Sequence, residues 1–391
     1  MSAYGAPRPT TPRFDARDPV RLHSAFATSN WTLPTTSSML TGALPETAGV
    51  TLAANDPLDT TAALKVASAV PAFRDLGFRT ALFSGNPGLW RVAGLEEGFE
   101  TFELLYDLPT GNSKEIVDAA LSWIDAGDAN APFFLWLQPF DVHFPYLPPA
   151  EVSGAFRDPA TLPFDVTEQA QRTAIEADFA NLDETGQAAI RSGLLDLYDE
   201  ELLYLDQQVD RLLIALEERG LLSETVVVWT ADHGELFDDG GTTFFFHGVS
   251  LRPGVNRIPM LVLDPAPDPW RGDGLFSGTD LLPTLFDRLA LPPPSFPEGV
   301  VFGADPGRTR SYAFDAVGAG WGEAIPAGAA WTDGTHKVLV ACETGDAVGY
   351  DLRTDPDELA GFDPNQRAET ALLLTELAAL LPSLHPEGCL P

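Results

Sequence analysis

Short apolar runs separated by amphipathic stretches set the rhythm of this chain. Val226, Val227, Val228 and Trp229 open a run that stops abruptly at Asp232-His233-Gly234-Glu235. A continuous apolar run of this length reads as a strand buried on both faces, as in a parallel sheet. Arg79 to Phe83, Phe133 to Leu137 and Ile258 to Leu263 are further strand candidates. Leu202, Leu205, Val209, Leu212, Leu213 and Leu216 recur at helical spacing, so one long amphipathic helix is predicted over Leu195 to Arg219, stopped by Gly220. Other helical patterns cover Ala62 to Leu76, with Pro71 as a kink or break, Ile116 to Ala126, Asp280 to Ala290, and about Arg367 to Leu381. A hairpin through Asp333-Gly334 is expected within Ala329 to Val340.

Strands that alternate with helices predict an α/β sandwich around a mostly parallel sheet. This unit is expected to fill residues 1–300, closing at Pro292-Pro293-Pro294, and a smaller α+β unit to fill 301–391. Residues 147–195 are mixed and rich in Pro, Asp and Glu, and read as an excursion over one end of the sheet.

Polar residues collect at the ends of these strands, where open α/β sheets keep their ligands. Asp232 and His233 follow the valine run, and a carboxylate beside an imidazole is a plausible half-site for a divalent ion. Asn86 follows one strand; Asp141 and His143 follow another. Thr32, Thr35, Thr36, Ser37 and Ser38 crowd around Pro34, just before Met39-Leu40 opens an apolar register. Hydroxyls ahead of a helix cap its free N–H groups, and a helix N-terminus favours anions. A metal-activated hydroxyl there would also serve as a nucleophile. The plainer readings stand beside these: a capped turn, a turn asparagine, and a packed His247 behind Phe244-Phe245-Phe246.

Charge narrows the choice of partners. Against 57 acidic residues there are 23 basic ones, a formal net charge of −34. Nucleic acid and anionic membrane surfaces are poor partners for such a surface. An acidic, lysine-poor chain suits high salt, where screening removes self-repulsion, so a halophilic setting is expected. Cys342 and Cys389 make neither a disulfide framework nor a zinc ribbon. No apolar run approaches the ~20 residues of a membrane span. The first residues show no signal-peptide pattern, so a soluble, cytoplasmic protein is expected.

Taken in order, six blocks resemble the sulfatase family of the alkaline phosphatase superfamily. They are Ser2-Ala3-Tyr4-Gly5 with Pro9-Thr10-Thr11-Pro12; Trp31-Thr32-Leu33-Pro34-Thr35 with Leu40-Thr41-Gly42; Phe78 to Asn86 with Gly94 to Phe102; Phe140-Asp141-Val142-His143 with Pro145-Tyr146; Tyr198-Asp199-Glu200-Glu201 leading to Asp232-His233-Gly234-Glu235; and Tyr350-Asp351-Leu352 with Asp355-Pro356 and Glu358. The resemblance implies an alkaline-phosphatase-like sandwich and the hydrolysis of a small-molecule or glycan sulfate ester, or of a related phosphate ester or phosphonate. It implies one divalent metal ion on Asp232 and His233 with Thr32 beside it. It implies Thr32 as nucleophile, His143 or His247 as proton donor to the leaving oxygen, and Asn86 and Lys337 as substrate contacts.

Departures from the family pattern are as informative. Thr32 stands where sulfatases carry a cysteine or serine that becomes formylglycine, an aldehyde that threonine cannot form. Thr36 replaces the arginine that follows, and Pro45 to Val50 holds no histidine. The resemblance begins at Ser2, just past the family's first metal-binding strand, so that strand is expected to be missing, leaving a gap beside the strand that ends at Asp232. These departures keep a second reading open: a non-catalytic relative that binds an anion or sugar.

Overall fold

The computed structural model describes residues 1–51, 61–105, 112–128, 130–157, 162–176, 179, 182–237, 247–248, 250–266, 270, 274–304, 307–315, 328–342 and 344–385. The Gly-rich loop at 238–241 and Phe244-Phe245-Phe246 lie outside them.

Strand β1 is Val20–Arg21, and the buried helix α1 is Thr32–Thr41. Helix α2 covers only Val70–Asp75 of the stretch expected to be helical from Ala62. Pro71 explains the late start: it sits in the first turn, where no N–H is needed. Ala62–Ala63 is a short strand instead. Strands β2 (Arg79–Ser84) and β3 (Thr101–Leu104) follow, then helix α3 (Ser113–Asp125) and strand β4 (Phe133–Gln138). Helix α4, Glu184–Glu218, starts well before the expected Leu195. Its N-terminus is fixed by Asp183, whose carboxylate accepts the Gly186 N–H at 2.8 Å. Strands β5 (Val227–Thr230) and β6 (Met260–Leu263) and helix α5 (Leu281–Arg288) come next.

These strands form two three-stranded sheets. One has the order β3-β2-β4 and is parallel throughout. The other has the order β1-β6-β5, with β6 antiparallel to both neighbours. The mostly parallel expectation thus holds for the first sheet and fails at β6, since a short buried apolar run carries no signature of direction. Among the described residues, β4 pairs with β2 alone and β5 with β6 alone. Their other edges line a cavity of about 970 Å3.

The C-terminal part is a four-stranded antiparallel sheet, β7 (Ser311–Asp315), β8 (Gly328–Thr332), β9 (His336–Ala341) and β10 (Ala347–Asp351), with helix α6 (Ala368–Leu384) packed on it. The β8–β9 hairpin turns through Asp333-Gly334, and Gly334 takes φ +83, a conformation that favours glycine. Phe314 N–H donates to the Thr28 carbonyl at 3.0 Å, tying this sheet to the segment just ahead of α1.

Candidate active site

Thr32 is the first residue of α1 rather than a residue ahead of it. Trp31, extended at φ −134 and ψ 147, brings the chain into the helix with no capping side chain. The neighbouring hydroxyls do not cap either. Thr35 Oγ1 donates to the Trp31 carbonyl at 2.6 Å, and Thr41 Oγ1 to that of Ser37 at 2.7 Å. Pro34, tolerated within the first turn, lets the helix begin this early. The Thr32 hydroxyl is left directed at the end of β5.

There the chain delivers Asp232 and His233. The His233 Nδ1 lies 2.9 Å from the Gly234 carbonyl, which can only accept, so Nδ1 carries the proton. Nε2 is therefore a bare acceptor, 3.3 Å from Thr32 Oγ1 and 3.5 Å from Asp232 Oδ2. Burial pushes the Asp232 carboxyl up, but His233 and the Thr32 hydroxyl offset it, and the group stays below its ordinary range. The three residues expected to meet are together.

His247 stacks on His233 with ring centroids 4.3 Å apart, and its Nδ1 lies 3.2 Å from Glu235 Oε1. It is buried, but among His233, His143, Trp31 and Glu235. His143 is 5.2 Å from His247, stacks on Phe140 and points Nδ1 at the Phe144 carbonyl, 2.6 Å away. Burial and the neighbouring His247 lower the His143 imidazole to about 4, and burial beside His233 holds His247 well below its usual value. Both rings are neutral near pH 7. With the His143 Nδ1–H directed at the Phe144 carbonyl, its Nε2 carries a proton only in the charged form. When the His247 Nδ1–H donates to Glu235, its neutral ring carries no proton on Nε2.

Trp31 and Glu235 are the members of this cluster that sequence reasoning passed over. Trp31 adjoins Thr32 and Glu235 lies two residues after His233, and this nearness was the available signal. A Cβ at Gly248 would run into the Trp31 indole, so the glycine after His247 lets that ring close over the cluster.

The Sulfatase family model matches residues 1–291 of the 391. The chain belongs to the sulfatase family. An arylsulfatase of Clostridium perfringens is 22% identical over 275 residues, covering 63% of this chain and 52% of that protein. This sulfatase-family chain thus spans about half the length of that curated relative. A structure solved with its substrate D-glucosamine-2-N,6-O-disulfate superposes with TM-score 0.76 at 17% identity, covering 99% of this chain and 95% of the other. A phosphonate monoester hydrolase of Agrobacterium radiobacter gives 0.73 at 18%, with 99% and 93% covered. The fold is the alkaline-phosphatase-like α/β fold of the family. Among the described residues, no helix is long and apolar enough to cross a membrane.

Two residues carried over from the family pattern look different in place. Lys337 is not available to an anion. Its side chain is buried, and its Nζ donates to both oxygens of Glu358, at 2.9 and 3.2 Å, and to the Leu251 carbonyl, which accounts for all three protons. Asn86 is mostly buried, and its Oδ1 accepts the Gly88 N–H at 2.7 Å. That oxygen shapes the turn after β2.

The donor set for a metal is short. Asp232 and His233 are two firm donors and Thr32 a weak one, where a divalent site usually has about three or four protein ligands. Among the described residues, no group of three or more His, Cys, Asp or Glu is arranged to hold an ion. These residues do not by themselves fit the expected ion, and no step below passes through one.

Proposed function

We propose that this chain hydrolyses a sulfate ester, or a related phosphate ester or phosphonate, with Thr32 as nucleophile. The observation that carries the reading is the Thr32 hydroxyl 3.3 Å from the bare Nε2 of His233 at the start of a helix. A hydroxyl beside an oriented base is the pairing that nucleophilic catalysis needs. Thr32 Oγ1 attacks sulfur or phosphorus in line while its proton passes to His233. The ester oxygen departs on the opposite side and takes a proton from water; the hydroxide so formed then cleaves the bond from Thr32 to sulfur or phosphorus, and His233 returns its proton to the Thr32 oxygen. Asp232 favours the charged imidazole while it exists. His247 stacks on the His233 ring and is itself packed against Trp31 and His143. Members of the family generally use a metal ion; in this chain Asp232 and His233 are the residues closest to such a role.

The related proteins act on glycan and choline sulfates and on phosphonates, which supports a small anionic ester as substrate. The test is a screen of aryl sulfate, phosphate monoester, phosphodiester and phosphonate, run alongside elemental analysis of the purified chain. Turnover of any one, lost by about 10²-fold or more in Thr32→Val and His233→Gln, is the expected result. The short donor set favours a second reading, an anion-binding relative without turnover. Saturable anion binding with no turnover and no stoichiometric metal would select it.

A further inference from the structure

A cluster outside the candidate active site joins three separate parts of the chain. Glu46 lies on the single helical turn Pro45–Ala48, shortly after α1. Tyr312 lies on β7, and His385 follows the last residue of α6. Their polar atoms form a closed triangle. Tyr312 Oη is 2.9 Å from Glu46 Oε1 and 2.9 Å from His385 Nε2, and His385 Nε2 is 3.1 Å from Glu46 Oε1. Tyr312 is buried, and the side chains of Glu46 and His385 are 4% and 14% exposed. Phe314 packs on His385 with ring centroids 4.1 Å apart, which limits how the imidazole can turn.

Hydrogen bonding satisfies this triangle poorly. A neutral phenol and a neutral imidazole bring at most two protons to its three edges. Glu46 Oε2 is buried with no partner at all. Among the described residues, the ion-pair partner of Glu46 is His385, which is charged only when protonated. Buried charges are paired or coordinate metals. Coordination fits the distances. Three cis ligands of an octahedral ion, each ~2.1 Å from it, stand about 3.0 Å apart; a tetrahedral ion would spread them to about 3.4 Å. The observed edges match the octahedral value. The donor set also selects. Imidazole suits zinc, copper, iron and nickel, whereas carboxylate favours harder ions. A phenolate is a hard anionic donor that tyrosine gives to iron.

We propose that Glu46, Tyr312 and His385 form a metal site, separate from the candidate active site, that takes a hard octahedral ion, iron(III) above all. The three side chains occupy one face of the ion, and Glu46 closes on it with both oxygens. Water takes the remaining positions. Binding sends the Tyr312 proton to solvent, and His385 ligates as the neutral imidazole protonated on Nδ1. The ion ties the end of α6 and β7 to the turn that follows α1, so it clamps the C-terminal sheet to the helix that carries Thr32. Nothing in the proposal rests on turnover.

The test strips the full chain with a chelator and titrates it with iron(III) nitrilotriacetate, following visible absorbance and Tm. The expected result is one iron per chain, the visible charge-transfer band of an iron phenolate, and a Tm raised by about 3 °C or more. Tyr312→Phe keeps the ring in its packing, and should lose the band and bind iron at least about tenfold more weakly. Glu46→Gln should weaken binding by a similar factor. His233→Gln should keep both band and affinity. A titration without the band, or a band that survives Tyr312→Phe, overturns the proposal. So does iron binding lost in His233→Gln and kept in Tyr312→Phe, since the ion would then belong to the candidate active site. Should Tyr312→Phe fail to fold, His385→Gln takes its place, and affinity unchanged from wild type overturns the proposal. Because these readouts need no substrate, the metal site and the hydrolase reading stand or fall separately.

Discussion

Asp141 shows how burial sets a residue's behaviour here. Its carboxylate accepts the Ser113 N–H at 2.9 Å and the Ser113 hydroxyl at 2.8 Å, pinning the turn after β4 to the first residue of α3. Burial pushes its pKa up from 3.8 to about 6, against the pull of those two bonds. The folded chain therefore binds this proton more tightly than the unfolded chain does. Stability from this group is present below pH ~4 and falls, by about 2–3 kcal/mol, as pH rises to ~6. Asp141→Asn keeps both contacts if the Ser113 hydroxyl reverses its role. Urea titrations should find it close to wild type at pH 4 and more stable at pH 8; a constant difference across that range counts against the argument. Lys337 makes the opposite case. Lys337→Met leaves Glu358 buried and uncompensated, a loss of about 3–5 kcal/mol. If Lys337 is a structural cation, the fraction that still folds should show an unchanged KM. Asp232 and His233 were legible because strand, strand end and residue type are all local signals. Lys337 was not, because its partner lies 21 residues away and only tertiary packing decides which way the ammonium turns.

At the scale of elements, α4 carries a contact that no periodicity announces. Glu200 is fully buried, accepts the Gly154 N–H at 2.8 Å, and pairs with the buried Arg157 guanidinium at 3.1 Å. One carboxylate thus holds down part of the excursion, and Glu201 holds another part by accepting the Leu147 N–H at 2.6 Å. Glu200→Gln keeps the shape but strands the Arg157 charge, which should cost about 3–5 kcal/mol. Limited proteolysis would read this out, with new cuts between residues 147 and 157 before the core opens. Cleavage unchanged from wild type would show that the pair does not anchor the segment. The helix itself was visible from its leucines, yet its first turns were not, because Glu184 to Leu194 lacks a strong apolar stripe and relies on the Asp183 cap. The start of α1 was missed for a related reason: crowded hydroxyls suggested caps, whereas they bond back into the helix.

For the whole molecule, the order of strands and helices was readable from alternation, but pairing was not. No local pattern says that β6 opposes β5, or that β4 and β5 face each other across a cavity. Charge, in contrast, is read directly from composition. With 57 acidic and 23 basic residues, pairing every Arg and Lys would still leave a net charge of −34. Arg8, Arg219, Arg288, Arg308 and Arg310 are each already spent on carboxylates. The remaining carboxylates repel one another in the compact state and relax on unfolding, so dilute salt should destabilise the fold. Screening shortens the reach of that repulsion from ~10 Å at 0.1 M to ~3 Å at 1 M. Tm should therefore climb steeply with sodium chloride up to about 1 M and then flatten. Chloride is the salt to use, because sulfate would add an exclusion effect of its own on buried apolar area. A Tm that is the same at 0.05 M and 2 M sodium chloride would show that the surface charge is already balanced within the fold, and that the acidic composition is not an adaptation to salt.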